Sequence, residues 1–141
     1  MKNLKSLVLL FLVATVSLVS CNKDDDDATP TATTFEGKWQ YSKEGAIVNG
    51  QEVLTNYVHA SGCTKDYVEF LSAGVFKDHS FFGASCEEDV FTGTWSKNGS
   101  MVTVTADGDS STAEIIELTA TTLKVKYTDA GTVFVDVYTR I

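Results

Sequence analysis

From residue 35 onward, apolar and polar residues alternate at period two, and clusters of Gly, Asn, Asp and Ser interrupt them every eight to twelve residues. Such a pattern puts one face of each segment in a core and the other in water, as an antiparallel sheet requires and a helix cannot provide. Strands are expected over 35–43, 53–59, 67–71, 75–82, 90–97, 101–106, 113–119, 122–128 and 132–140, with no helix. Asn98-Gly99 is expected to form a two-residue hairpin turn, because both residues tolerate positive φ. Asn49-Gly50 suggests a second hairpin, although 52–59 also suits a short helical turn, which leaves strand order around 46–60 open. Leu123, Val125 and Tyr127 against Lys124 and Lys126 give the cleanest inside-outside alternation. Short sequential loops between about eight strands point to an all-β, antiparallel up-and-down meander. Closing it as a small barrel removes the exposed edges.

The interior of a barrel this size is either filled by side chains or able to hold one small ligand. Parity and size place Trp39, Tyr41, Val68, Phe70, Phe76, Trp95, Leu118, Leu123, Val125, Tyr127 and Val135 inward. Trp39, Tyr41, Phe70, Phe76, Trp95 and Tyr127 are the candidate ligand contacts among them. In the alternative reading these aromatics are simply core, and the barrel is a closed module that binds a protein or glycan.

The N-terminus carries Lys2 and Lys5, an apolar run over 7–19, and then Leu18, Val19, Ser20 and Cys21. A short apolar run behind a basic start is the pattern of a signal peptide. The run is too short, and too interrupted by Thr15 and Ser17, for the ~20 apolar residues of a permanent span. Leu18, Val19, Ser20 and Cys21 resemble the lipobox of bacterial lipoproteins. That resemblance implies cleavage after Ser20, diacylglyceryl attachment to the Cys21 thiol and acylation of the new amino terminus, with palmitate as a typical chain. More than one acyl chain holds a protein to a bilayer durably without spanning it. Residues 1–20 are thus expected to be a cleaved signal, 21–34 a lipidated tether and 35–141 the folded domain. The tether holds Lys23, Asp24, Asp25, Asp26, Asp27 and the sole proline, Pro30, a composition that stays solvated. A Lys followed by acidic residues just after the lipidated Cys resembles a surface-export signal of one group of Gram-negative bacteria. It implies the outer membrane, exposed at the cell surface.

Residues 35–141 suffice for one domain and one core. Nineteen acidic residues against eleven basic ones give a formal net charge of −8, and losing Lys2 and Lys5 with the signal makes it more negative. That balance disfavours nucleic acid as a partner, and a monomer is expected. Cys63 and Cys86 remain after Cys21 in a chain that leaves the cytoplasm, and a disulfide between them is the expectation. Catalysis or metal binding by either thiol is the alternative, but no His lies at suitable spacing. His59 and His79 are isolated, and the acidic groups Glu87-Glu88-Asp89 and Asp107-Gly108-Asp109 lack the further ligands of a calcium loop. There is no phosphate loop and no nucleophile elbow, so neither a cofactor, a metal nor an enzymatic activity is expected.

Gly37, Lys38 and Trp39 open the first strand; Cys63 follows, then Asp66, Tyr67 and Phe70, then Gly74 and Phe76, then Cys86, then Gly93 and Trp95. This series resembles the lipocalin-like domains of bacterial lipoproteins over nearly the whole of 35–141. The resemblance implies a barrel whose first Trp plugs the closed end, with a basic residue from late in the chain across it. Arg140 is the chain's only arginine, so it should pack against Trp39. It further implies that the interior binds or shields a small apolar molecule. The Thr-Asp-Tyr that lipocalins often carry before a late strand stands here in another order, as Tyr127, Thr128 and Asp129.

Overall fold

The computed structural model describes residues 33–141, so the signal, Cys21 and the tether up to residue 32 lie outside the described residues. Nine strands follow one another in chain order: β1 Gly37–Val48, β2 Gln51–Asn56, β3 Tyr67–Leu71, β4 Val75–Phe82, β5 Glu87–Asn98, β6 Met101–Ala106, β7 Asp109–Leu118, β8 Thr122–Asp129 and β9 Thr132–Arg140. Every pairing is antiparallel. Strands β3 to β9 pair in sequence, and β9 returns to pair with β1, which closes an eight-stranded barrel. Closure leaves β2 outside the ring as an added strand on β1.

The hairpin turns follow local backbone chemistry. Asn49-Gly50, Asp107-Gly108 and Ala130-Gly131 each take positive φ at both turn residues, the type I′ pattern whose twist matches the strands. The Asn98-Gly99 expectation needs correcting. Asn98 pairs with Met101 and belongs to β5, so the turn is Gly99-Ser100, with positive φ only at Gly99. That pattern matches type II′, where glycine occupies the first central position. The segment after Asn49-Gly50 is strand and not helix, which settles the order around 46–60.

Strand β1 is longer than alternation suggests because a bulge interrupts its pairing with β9 between Tyr41 and Lys43. Before the bulge Trp39 and Tyr41 pair with Arg140 and Tyr138; after it Glu44 and Ala46 pair with Asp136 and Phe134. One extra residue therefore transfers the inward face from odd to even positions. The C-terminal half of β1, with β2, then curls over the outside of the wall: Glu52 of β2 ion-pairs with Lys124 of β8 at 2.5 Å, across β9. Gly45 permits this, since a Cβ there would lie 1.9 Å from the Val53 carbonyl oxygen. Val135, expected inside the barrel, instead pairs with Gly45 and Lys126 on the outer face, yet has no exposed surface. The curled hairpin supplies a second, outer apolar layer.

The inner core holds Phe35, Trp39, Val68, Phe70, Phe76, Val102, Leu123, Val125 and Tyr138. The closed end is plugged by Phe35, which packs against Phe70 at 4.3 Å and Trp95 at 5.3 Å between ring centroids. Trp39 is fully buried and donates from Nε1 to the Phe35 carbonyl at 2.9 Å. The Arg140 guanidinium lies over the Trp39 ring, 4.0 Å from its centroid. It also donates to the carbonyls of Glu36 and Ala120, each at 3.0 Å, and to that of Thr34. One cation thus ties the plug segment and the β7–β8 turn to the end of β9. Positive φ at Gly37 and the absence of a side chain there, where a Cβ would meet the guanidinium at 2.6 Å, make the room.

Candidate functional site

Above the plugged end the barrel encloses a cavity of about 280 Å3, lined by Tyr41, Val68, Phe70, Phe76, Val102, Val104, Ser111, Ala113, Val125, Tyr127, Asp136 and Tyr138. The register accounts for the lining. Val68 and Phe70 stand on β3, Phe76 opposite Phe70 on β4, Val102 and Val104 on β6 opposite Ala113 and Ser111 on β7, and Val125 on β8 opposite Asp136 on β9. Small residues at Ser111 and Ala113 leave space that larger ones would fill.

Of the six aromatics expected to meet a ligand, Tyr41, Phe70, Phe76 and Tyr127 line this cavity. Trp39 and Trp95 do not. Trp39 belongs to the closed end, and Trp95 donates Nε1 to the Leu71 carbonyl at 2.8 Å while facing Phe35 and a depression outside the plug. Tyr138 and Asp136 were not anticipated. An acid on an inward register position contradicts the alternation by which inward residues are recognised.

The polar end of the cavity is made of phenols and acids. Tyr41 donates from its hydroxyl to Asp78 Oδ2 at 3.0 Å, and Tyr138 donates to Asp136 Oδ2 at 3.5 Å. Tyr127 stands beside Asp136 in the lining. Burial pushes the Asp78 and Asp136 carboxyls above the usual carboxylate range, and the hydrogen bonds from the tyrosines only partly offset it. The phenols move the same way: burial raises Tyr41 and Tyr138, and pushes Tyr127 up to about 12. Asp78 Oδ1 is buried with no hydrogen-bond partner. Asp136 and Tyr127 also border a depression of about 350 Å3 with Glu44, Ala46 and Phe134, so they stand at the throat between the interior and the open end.

Residues 57–66 run along the rim of the open end and are held from several directions. His59 Nδ1 accepts from the Asp66 amide at 3.0 Å, which leaves Nε2 to donate to the Tyr41 carbonyl at 3.0 Å. Both ring nitrogens are thus spent on the backbone around the β1 bulge. Asp66 is buried and accepts from the Phe81 amide at 2.8 Å, extending the β3–β4 ladder past its last pair. Cys63 in this loop is disulfide-bonded to Cys86 in the β4–β5 turn, with 5.3 Å between their Cα atoms. His79 sits on the outer wall, stacked on Tyr67 with centroids 4.3 Å apart and Nδ1 2.7 Å from Glu88 Oε1. Its Nε2 is within ion-pair distance of Glu69 at 3.5 Å but outside hydrogen-bond geometry. Glu69 in turn binds Lys38 at 2.5 Å, and this contact holds its carboxyl below the usual range. Among the described residues no group of three or more His, Cys, Asp or Glu side chains could hold a metal ion, and no helix is long and apolar enough to cross a membrane.

Comparison with known proteins bears on the same architecture. The family described as "Lipocalin-like domain" matches residues 35–125. Among solved structures, a lipocalin-like protein from Bacteroides uniformis ATCC 8492 is similar at a TM-score of 0.58 and 14% identity, over 75% of this chain and 97% of its own. A protein from Bacteroides eggerthii DSM 20697 is similar at a TM-score of 0.53 and 15% identity, over 77% of this chain and 100% of its own. At such identities these two likenesses concern the fold alone. No curated protein matches the sequence. With the matched region spanning β1 to the middle of β8 in a closed eight-stranded barrel plugged by Phe35 and Trp39, the chain belongs to the lipocalin-like domain family.

Proposed function

We propose that the barrel takes up a small, largely apolar molecule, and that the chain works as an exported lipoprotein holding this site at the outer membrane. The observation that carries the binding reading is the interior cavity. At about 280 Å3 it is far larger than a packing defect and lies at the lower edge of the ~300 to 1,000 Å3 of small-molecule pockets. A barrel serving only as a structural or interaction module has no need of small residues such as Ser111 and Ala113 facing that space.

The lipoprotein reading is supported by the signal pattern ending in Leu18, Val19, Ser20 and Cys21, and by the Cys63–Cys86 disulfide, which suits an oxidising compartment. In this reading residues 1–20 are removed, Cys21 carries the lipid, and 21–34 tether the barrel, monomeric, at the cell surface. The role is binding and not catalysis.

Two measurements test this. Native mass spectrometry of the mature protein should reveal a co-purified or added apolar ligand at one per chain, and a barrel that stays empty with every apolar probe would overturn the binding reading. Cys21→Ser should move the protein out of the membrane fraction; persistence there would overturn the lipid anchor.

A further inference from the structure

Two of the phenol protons around the cavity are already committed. A phenol has one proton to give. Tyr41 gives its own to Asp78, and Tyr138 directs its own to Asp136. Tyr127 and Ser111 are the other hydroxyls in the lining, and no Lys, Arg or His lines the cavity. What faces a ligand is therefore acceptor lone pairs, aromatic faces, two neutral hydroxyls and one carboxylate, with no cationic group. Asp136 has no ion-pair partner among the described residues, and Glu44, its register partner on β1, adds a second negative charge. The open end repeats that sign: Asp107, Asp109, Asp129 and the run Glu87-Glu88-Asp89 lie at its turns, with Lys65 as the lone lysine in its connecting loops.

We infer that the cavity selects small molecules whose apolar body ends in a protonated amine, with the ammonium seated between Asp136 and the faces of Tyr127 and Tyr138. This inference rests on the reading of the interior as a ligand site. An ammonium brings the cationic donor that the site lacks, neutralises the carboxylate at the throat and is attracted to the aromatic faces. A carboxylate ligand meets Asp136 and Glu44 with only neutral hydroxyls, and no cation, to receive it. A neutral apolar ligand leaves the half-buried Asp136 carboxylate without an opposite charge. The acidic rim steers a cation inward. The apolar end, walled by Phe70, Phe76, Val104 and Val125, takes the body of the molecule. A space of about 280 Å3 suits a small body such as one ring with a short chain.

Three probes of one shape separate the possibilities: phenethylamine, phenethyl alcohol and phenylacetate, titrated calorimetrically at neutral pH into the full chain in lipid nanodiscs. The amine should bind about tenfold or more tightly than the alcohol, and phenylacetate should not bind measurably. Asp136→Asn should bring the amine down to the affinity of the alcohol. Glu44→Gln, on the exposed rim where folding is not at risk, should weaken the amine by a smaller factor. Alcohol binding as tight as amine binding, tightest binding of phenylacetate, or amine affinity unmoved by both substitutions overturns the amine inference and leaves the apolar cavity in place. Failure of all three probes overturns the cavity reading with it.

Discussion

At the scale of single residues, the acids at the throat are held at a disadvantage. Burial raises Asp78 and Asp136, so the folded chain binds their protons more tightly than the unfolded chain does. Folding stability from these two groups is therefore present below the ordinary carboxylate range and is lost as pH rises through the raised folded values. Glu69 runs the other way, since its contact with Lys38 lowers it and its contribution is lost as pH falls. Single substitutions separate the two: Asp78→Asn should raise the melting temperature at neutral pH and lose that advantage near pH 4, as read by thermal unfolding at the two pH values. Half-buried acids kept without a cationic partner, against the protein's own stability, mark a candidate functional position. The same departure explains why Asp136 was illegible in the sequence. Along 132–140 the valines alternate with Phe134, Asp136 and Tyr138, both registers look buried, and the acid argues for the wrong one. At the closed end the logic is simpler. Arg140→Ala removes the cation over Trp39 and three hydrogen bonds to the plug and turn, and should cost roughly 1–3 kcal/mol in denaturant unfolding, with Arg140→Lys intermediate.

At the scale of elements, β3, β4, β6 and β9 end where alternation and turn residues place them, because each is regular from end to end. Strand β1 does not, because the bulge at Ser42 reverses parity and no single residue announces it. Nor was the outer layer legible: covering Val135 requires the hairpin to curl at Gly45, a tertiary event that a strand pattern does not encode. Gly45→Ala sets a Cβ against the backbone of β2, so the hairpin should lift from the wall. The expected result is faster amide exchange across β2 and near Val135, with the barrel strands unchanged. The loop over 57–66 depends on its staple. The disulfide spans 23 residues, for which the chain-entropy model gives about 3 kcal/mol. Cys63→Ser with Cys86→Ser should lower stability by that order and make 57–66 the first site of limited proteolysis, while far-ultraviolet circular dichroism keeps its strand signature.

At the scale of the whole molecule, the barrel is polarised. One end is shut by Phe35, Trp39 and Arg140; the other is bordered by a pinned loop and by acids at its turns; between them lies a space that side chains do not fill. The family and the barrel were legible because Gly37, Trp39, Phe70, Gly93 and Trp95 report backbone closeness and plug packing, which recur with the fold. Whether the interior is open was not legible, because a cavity is a difference between the volume enclosed by the strands and the volume of the side chains pointing into it. Ala113→Phe tests this most directly, since Ala113 faces the cavity and a phenyl ring there occupies it. With an apolar fluorescent probe titrated into the parent and the variant, saturable uptake by the parent and its loss in a variant that melts normally is the result expected. Equal uptake by the two proteins, or none by the parent, would contradict an interior binding site.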